Sequence, residues 1–260
     1  MQRGEKNLFG KKCSSPLSAL TPYLQKLKKG YESGFSIRSE LKNMRMRKKK
    51  HGEERILACA ELLIQDPTLL KDEPSVAFAD KSKPLCLEIG CGKGNFAVGM
   101  AQKHPEDNFI AMERVPDVCC IALEKAMACK DARPDNLRFI IGNADNLEEW
   151  FPEKCLDRIY LNFSDPWPKA GHAKRRLTHR IFLERYKKLL KDGGLLIFKT
   201  DNVGLFDFSL EEFAEFGLKV EWMTRDLHNS ERAEDNVMTE YEKNFSEKGF
   251  TINSAIVRFN

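Results

Sequence analysis

From Pro84 onward, short apolar runs alternate with helix-period patterns, and this alternation restricts the possible folds more than any other feature. Residues 85–89, 109–112, 137–141, 156–161 and 195–199 read as strands. A helical pattern built on Phe96, Val98, Met100 and Ala101 follows the first of them, and residues 118–129, 147–151 and 178–190 continue the alternation. Residues 205–216 and 240–245 read as helices, and 219–223 and 250–259 as strands. Runs that are apolar at every position fit strands buried on both faces, and parallel neighbours require a crossover between them. The chain is therefore expected to be α/β, with a mostly parallel sheet covered by helices on both faces.

The segment before this alternation is less patterned. Residues 1–43 carry glycines and serines with little periodicity and are expected to form a mobile N-terminal extension. Organised sequence begins at Met44, which is read as an alternative start. Residues 44–83 are expected to hold a basic segment, a helix over 53–65 ended by Asp66-Pro67, and a linker over 69–83. The domain proper is placed at 84–260.

Composition excludes several classes. No apolar run approaches the roughly 20 residues that span a bilayer. No N-terminal stretch has the pattern of a secretory signal. Eight cysteines, with no paired C-x-x-C spacing and no histidines at zinc-finger intervals, fit a reducing compartment, here the cytoplasm, and a chain without a metal. The net charge of +4 is modest, but it is clustered. Lys42, Arg45, Arg47 and Lys48 to Lys50 form one basic group, and residues 169–191 form another. Clustered cations on a nearly neutral chain suit a local polyanion such as nucleic acid.

The chemistry is carried by strand ends. Glu88-Ile-Gly-Cys-Gly-Lys-Gly94 follows the first strand and opens the first helix of the alternation. Gly90, Gly92 and Gly94 let a ligand approach the backbone. Their spacing is not the G-x-G-x-x-G of dinucleotide binders. Glu88 adds a negative charge that pyrophosphate would not welcome and a cationic ligand would. S-adenosyl-L-methionine, with its sulfonium and ammonium, fits that requirement. Glu113, 25 residues later at the end of the second strand, can accept hydrogen bonds from both hydroxyls of a ribose. Gly142-Asn143-Ala144-Asp145 follows the third strand, and Asn143 or Asp145 could meet an adenine amino group. Residues 162–177, NFSDPWPKAGHAKRRL, follow the fourth strand. Two prolines stiffen this loop around Asp165 and Trp167, and Lys169, Lys174, Arg175 and Arg176 surround it with positive charge. Thr200-Asp201 ends the fifth strand. Thr239-Glu240-Tyr241-Glu242 reads as a capping box, Thr239 at the N-cap and Glu242 at N3.

Taken together, MRMRKKKHGEERI, LEIGCGKGNF, AMER, GNAD, YLNFSDPWPKAGHAKRRL, FKTDN, DLHNS and MTEYE resemble the bacterial tRNA (guanine-N7-)-methyltransferase family of the TrmB type, over about four-fifths of the chain. The resemblance implies the class I methyltransferase fold, a seven-stranded Rossmann-like sheet with its last strand antiparallel. It implies S-adenosyl-L-methionine as donor and the variable-loop guanine of tRNA as acceptor. It assigns donor binding to Glu88, Glu113, Asn143 and Asp165, and substrate binding to Lys169, Asp201, Thr239, Glu240, Tyr241 and Glu242. The family often carries aspartate where Asn143 stands.

Guanine N7 has an exposed lone pair and no proton, so transfer to it needs positioning rather than a base. Asp165 is the expected catalytic carboxylate, accepting from the guanine N1 and exocyclic amine and stabilising the cation that develops. Arg45, Arg47, Lys48, Lys174, Arg175 and Arg176 are expected on the RNA backbone, in a monomer or a homodimer. Trp167 is expected either to stack on a base or to pack beneath the loop. Three other readings are compatible with parts of this pattern: an amino-group methyltransferase, a nicotinamide-dependent dehydrogenase, and a non-catalytic RNA-binding protein on the same fold.

Overall fold

A computed structural model describes residues 51–129 and 134–260. The strands are β1 (Leu85–Ile89), β2 (Asn108–Glu113), β3 (Leu137–Ile141), β4 (Leu156–Asn162), β5 (Leu190–Thr200), β6 (Lys219–Thr224) and β7 (Asn253–Arg258). They form one sheet in the order β3-β2-β1-β4-β5-β7-β6. Strands β1 to β5 pair in parallel, and β7 runs antiparallel between β5 and β6. This is the expected seven-stranded class I sheet. Every residue of β1 is buried, whereas β6, at the edge, alternates between exposed and half-buried positions.

The helices α1 (Gly52–Leu57), α2 (Asn95–Lys103), α3 (Pro116–Met127), α4 (Leu147–Trp150), α5 (Arg180–Leu189), α6 (Val203–Glu215) and α7 (Glu240–Ser246) accompany the sheet. In α3, Cys119, Cys120, Ala122, Leu123 and Ala126 turn inward at helical spacing. Asn202 caps α6 by accepting from the Leu205 amide at 2.7 Å. None of the helices among the described residues is long and apolar enough to cross a membrane.

Three expectations are corrected. The helix expected over 53–65 stops at Leu57, and a 3-10 turn, Ala60–Leu62, follows. Leu63 turns extended and bridges to Phe139, and the Ile64 amide donates to the Phe139 carbonyl at 2.9 Å. The apolar spacing was helical, but the exposed edge of β3 claims this backbone. The linker expected over 69–83 is partly interior, because Leu70 and Phe78 are buried in the main core. Strand β5 begins at Leu190, before Gly193-Gly194 rather than after it, and a register shift against β4 absorbs the interruption. The N-terminal extension and the cations Lys42, Arg45, Arg47 and Lys48 lie outside the described residues.

The strand order reverses between β1 and β4, since β2 and β3 lie on one side and β5 on the other. Open α/β sheets bind ligands outside the carboxyl ends of their strands at such a reversal.

Candidate active site

Glu88 and Asn162 face each other across this reversal. Glu88 is 3% exposed, and its Oε1 accepts from Asn162 Nδ2 at 2.9 Å. Its Oε2 has no partner. Neither has Asn162 Oδ1 or Ser164 Oγ, so three of the four buried, unpartnered side-chain polar atoms among the described residues lie at these two strand ends. Buried polar atoms are almost always paired, because leaving one unpaired costs about 1–3 kcal/mol. A cluster of orphans here marks a place shaped for a polar ligand. Burial pushes the Glu88 carboxyl up to about 7, against the Asn162 hydrogen bond and the positive charge of Lys199, and the Glu113 charge adds to the rise.

Glu113, at the tip of β2, accepts from the Gly92 amide at 3.1 Å and the Val115 amide at 2.9 Å. Burial raises its pKa as well, opposed by those backbone hydrogen bonds. The three glycines divide their work. A Cβ on Gly94 would lie 2.7 Å from Ala122 Cβ, so this glycine lets the loop pack on α3. Gly90 and Gly92 also have positive φ, of 83° and 56°, but a Cβ on either would meet no atom within 4 Å. Gly92 lies against Glu113, which accepts from its amide, so the open space there adjoins that carboxylate. Past β3, Asn143 Nδ2 donates to Asp145 Oδ2 at 2.9 Å, and Arg185 holds Asp145 Oδ1 at 2.8 Å. The Gly142 amide donates to the Glu113 carbonyl at 3.0 Å, which sets Asn143 beside the tip of β2.

The loop after β4 holds Asp165 in a constrained frame. Phe163 and Trp167, two residues either side of Asp165, adopt φ of 52° and 42°. Non-glycine residues in this region cost about 1–3 kcal/mol each and persist only where surroundings enforce them. The enforcing contacts are visible. The Phe163 amide donates to the Lys199 carbonyl at 2.9 Å. Arg176 Nε and Nη2 donate to the Pro166 and Trp167 carbonyls at 3.0 and 3.1 Å, while its guanidinium lies 4.2 Å from the Phe208 ring centre. Arg176, expected on the RNA backbone, thus commits two of its five N–H donors to the loop. Trp167 is half-buried, with Arg175 over its face at 4.9 Å and His172 against its edge at 5.7 Å. Asp165 itself is exposed and makes no hydrogen bond or ion pair among the described residues, and Lys169 and Lys174, further along the chain, are exposed as well.

The segment before and within α7 contributes the remaining expected residues. The capping box forms as read, with Thr239 Oγ1 accepting from the Glu242 amide and Glu242 Oε2 from the Thr239 amide. Glu240 pairs with Lys93 of the glycine loop at 2.7 Å. The Tyr241 hydroxyl donates to Asp201 Oδ2 at 3.3 Å. Glu242 is completely buried. Besides Thr239, it accepts from Lys199 Nζ at 2.9 Å, His228 Nε2 at 2.8 Å and Asn236 Nδ2 at 2.6 Å.

Lys199 is the residue that reading the sequence missed. It is 3% exposed, and its three protons go to Glu242, Asn236 Oδ1 and the Val237 carbonyl, all within 3.0 Å. Burial draws its pKa down, against the pull of Glu242 and Glu88. The available signal was a lysine inside the apolar run Leu-Leu-Ile-Phe-Lys, where a strand buried on both faces leaves a charge no exit. Asn162, Ser164, His228 and Asn236 were likewise not singled out.

None of the cysteines among the described residues is paired in a disulfide. Burial pushes Cys59 up to about 11 and Cys86 and Cys155 to about 12, which suits inert thiols.

Comparison with known proteins agrees with this arrangement. The family model Methyltransf_4, of methyltransferases, matches residues 82–255. A tRNA (guanine-N(7)-)-methyltransferase of Limosilactobacillus reuteri is 47% identical over 216 residues, covering 83% of this chain and 100% of that protein. This chain belongs to the tRNA (guanine-N7-)-methyltransferase family. Relatives with the same name from Lysinibacillus sphaericus and Lacticaseibacillus casei are 45% and 42% identical, over 79% and 83% of this chain and 94% and 99% of theirs. Among solved structures, the 16S rRNA methyltransferase KamB is similar with a TM-score of 0.53 at 15% identity, over 68% of this chain and 88% of that one. That likeness concerns the fold alone. The methyl donor of this methyltransferase is S-adenosyl-L-methionine, and the residues present fit it. The orphaned Glu88 carboxylate oxygen and Asn162 amide oxygen call for a donor-rich, cationic group, and the open backbone at Gly92 leaves room for it.

Proposed function

We propose that this methyltransferase transfers the methyl group of S-adenosyl-L-methionine to N7 of the variable-loop guanine in tRNA. The observation that carries the donor half is the set of unpartnered buried atoms at Glu88, Asn162 and Ser164. Glu88 and Asn162 would hold the cationic amino-acid end, Glu113 the ribose hydroxyls, and Asn143 with Asp145 the adenine edge. Asn143 and Asp145 hold each other, and Arg185 holds Asp145, so the adenine edge would meet this pair as a unit. When bound, the donor supplies an electrophilic methyl group.

The acceptor half rests on Asp165. Its loop fixes it in place, and its carboxylate is exposed with no competing partner among the described residues. It can accept from guanine N1 and the exocyclic amine, which orients N7, and its charge offsets the cation that forms on the ring. Asp201 and Glu240 stand on the neighbouring elements. Lys169, Lys174 and Arg175 offer the positive field for phosphates, and Arg176 serves by holding the loop.

The test is transfer of labelled methyl to unmodified bulk tRNA, followed by nucleoside analysis. The expected product is 7-methylguanosine, and a methylated exocyclic amine would point to the amino-group chemistry instead. Asp165→Ala is expected to abolish transfer, a loss of about a hundredfold or more, while donor affinity changes little. Equal large losses in both would make Asp165 a donor ligand only.

A further inference from the structure

A row of aromatic rings leads away from the candidate acceptor site. Phe163, two residues before Asp165, lies 5.1 Å from Tyr241, centre to centre. Tyr241 stacks on Phe245 at 4.1 Å with 17° between planes, and Phe245 meets Phe250 at 5.4 Å. Tyr241 and Phe245 share one face of α7 because they are four residues apart. The inner end of the row is fixed to the site by the Tyr241–Asp201 hydrogen bond.

The outer end is held by the helix terminus. The Gly249 amide donates to the Ser246 carbonyl and the Phe250 amide to the Phe245 carbonyl, with Gly249 at φ 81°, which is a Schellman motif. Such motifs favour an apolar contact between the residues that Phe250 and Phe245 occupy. That contact explains why an apolar residue stands at 250. It does not explain an aromatic ring left 53% exposed, next to a tyrosine 43% exposed. A leucine would close the cap with less apolar surface in water.

We propose that Phe250, held at the outer end of the Tyr241–Phe245–Phe250 row, offers a stacking face to an unpaired nucleobase flanking the acceptor guanine. The inference rests on the tRNA reading above. Two observations commit the surface to that occupant. The row is continuous with the loop that carries Asp165 through the Phe163–Tyr241 contact, which puts it within reach of a nucleotide next to the acceptor. Two cations accompany the rings, Lys248 Nζ 5.3 Å from the Phe245 ring centre and Lys243 exposed on the same helix, against one exposed carboxylate, Glu247, and this net positive balance suits a base attached to a phosphate. Stacking on rings already held in place is tolerant of base identity, because every base has a π face.

The experiment compares Phe250→Leu and Phe250→Trp with the wild-type chain, measuring affinity for unmodified tRNA across a salt series, thermal stability, donor affinity and sedimentation. Leucine keeps the cap contact and removes the ring, so the melting temperature and donor affinity are expected to hold. The tRNA affinity is expected to fall between about fivefold and about a hundredfold. Its dependence on salt should keep its slope, because no phosphate contact is lost. Tryptophan should restore the affinity. Wild-type affinity in Phe250→Leu overturns the proposal while leaving the methyltransferase reading intact. A dimer that Phe250→Leu converts to monomer overturns it as well, since the face would then be an interface between copies. A wild-type protein that neither binds tRNA nor makes 7-methylguanosine removes the tRNA reading and this inference with it.

Discussion

Replacing Lys199 with methionine tests the least expected feature of the site. The side chain is buried against Glu242, which has no exposed surface, at 2.9 Å. Methionine fills similar volume and removes the charge. Glu242 keeps its hydrogen bonds from Thr239, His228 and Asn236, but loses the cation opposite Oε2. Asn236 Oδ1 and the Val237 carbonyl lose a donor too. Breaking one side of a buried ion pair costs about 3–5 kcal/mol, a large part of the 5–15 kcal/mol that holds a typical domain together. At about 2–4 °C per kcal/mol for a chain of this size, the melting temperature should fall by about 6–20 °C. Glu242→Gln in the same background keeps an acceptor for the capping box and removes the stranded charge, but its amide nitrogen replaces an oxygen that accepts from His228 and Asn236, so it should recover only part of the loss. The pH dependence has a definite sign. Burial resists ionisation of Glu242, but Lys199 and the hydrogen bonds from Lys199, His228 and Asn236 outweigh it and hold its pKa below the usual carboxylate range. Its contribution is therefore present above the unfolded-state pKa and is lost as pH falls through the depressed folded value. Lys199→Met should move the onset of acid unfolding to higher pH. A loss under about 1 kcal/mol, or no recovery in the double variant, would show that packing rather than charge holds this segment.

Three further outcomes follow from the same geometry. Burial places the Glu88 carboxyl near 7, so the folded chain holds a proton there that the unfolded chain has released, and stability attributable to Glu88 declines as pH rises from the ordinary carboxylate range towards 7. Binding a cationic donor at about pH 6 should expel that proton, seen by calorimetry in buffers of different ionisation heat, and Glu88→Gln should abolish the release; equal proton release by both proteins would refute the assignment. Gly94→Ala forces a Cβ against α3 and should cost about 2–5 kcal/mol in urea unfolding, whereas Gly92→Ala, with open space around it, should cost about 1–2 kcal/mol and weaken donor binding disproportionately. Arg176→Lys removes the forked grip on the Pro166 and Trp167 carbonyls, so kcat should fall about tenfold or more with little change in the salt dependence of tRNA binding; a change in salt slope by about one would return Arg176 to the phosphates.

The legible parts of the fold were those set by local pattern. Strands such as β1 are buried on both faces, so they appear as unbroken apolar runs, and Glu88 and Glu113 stand out as carboxylates at the ends of such runs. The Thr239–Glu242 capping box was readable because its partners are three residues apart. What escaped was decided by distant segments. The helix around Leu63 broke because β3 needed a partner at its edge. Lys199, His228 and Asn236 converge on Glu242 only once β7 has inserted beside β5 and brought α7 over its end, a meeting that spans 43 residues for Lys199 alone. Arg176 reads as one cation among several until the loop it grips is folded.

The turn bearing Asp165 keeps its shape through contacts lying outside its own six or so residues. One is the Lys199 carbonyl on the adjoining strand, and another is an arginine ten positions downstream of Pro166. Transplanted alone into a foreign scaffold, the peptide Asn-Phe-Ser-Asp-Pro-Trp would relax its two left-handed aromatics and swing its carboxylate away. A designer wishing to borrow this chemistry must carry over the neighbouring strand edge and the distal guanidinium as well, because the memory of the conformation resides in them.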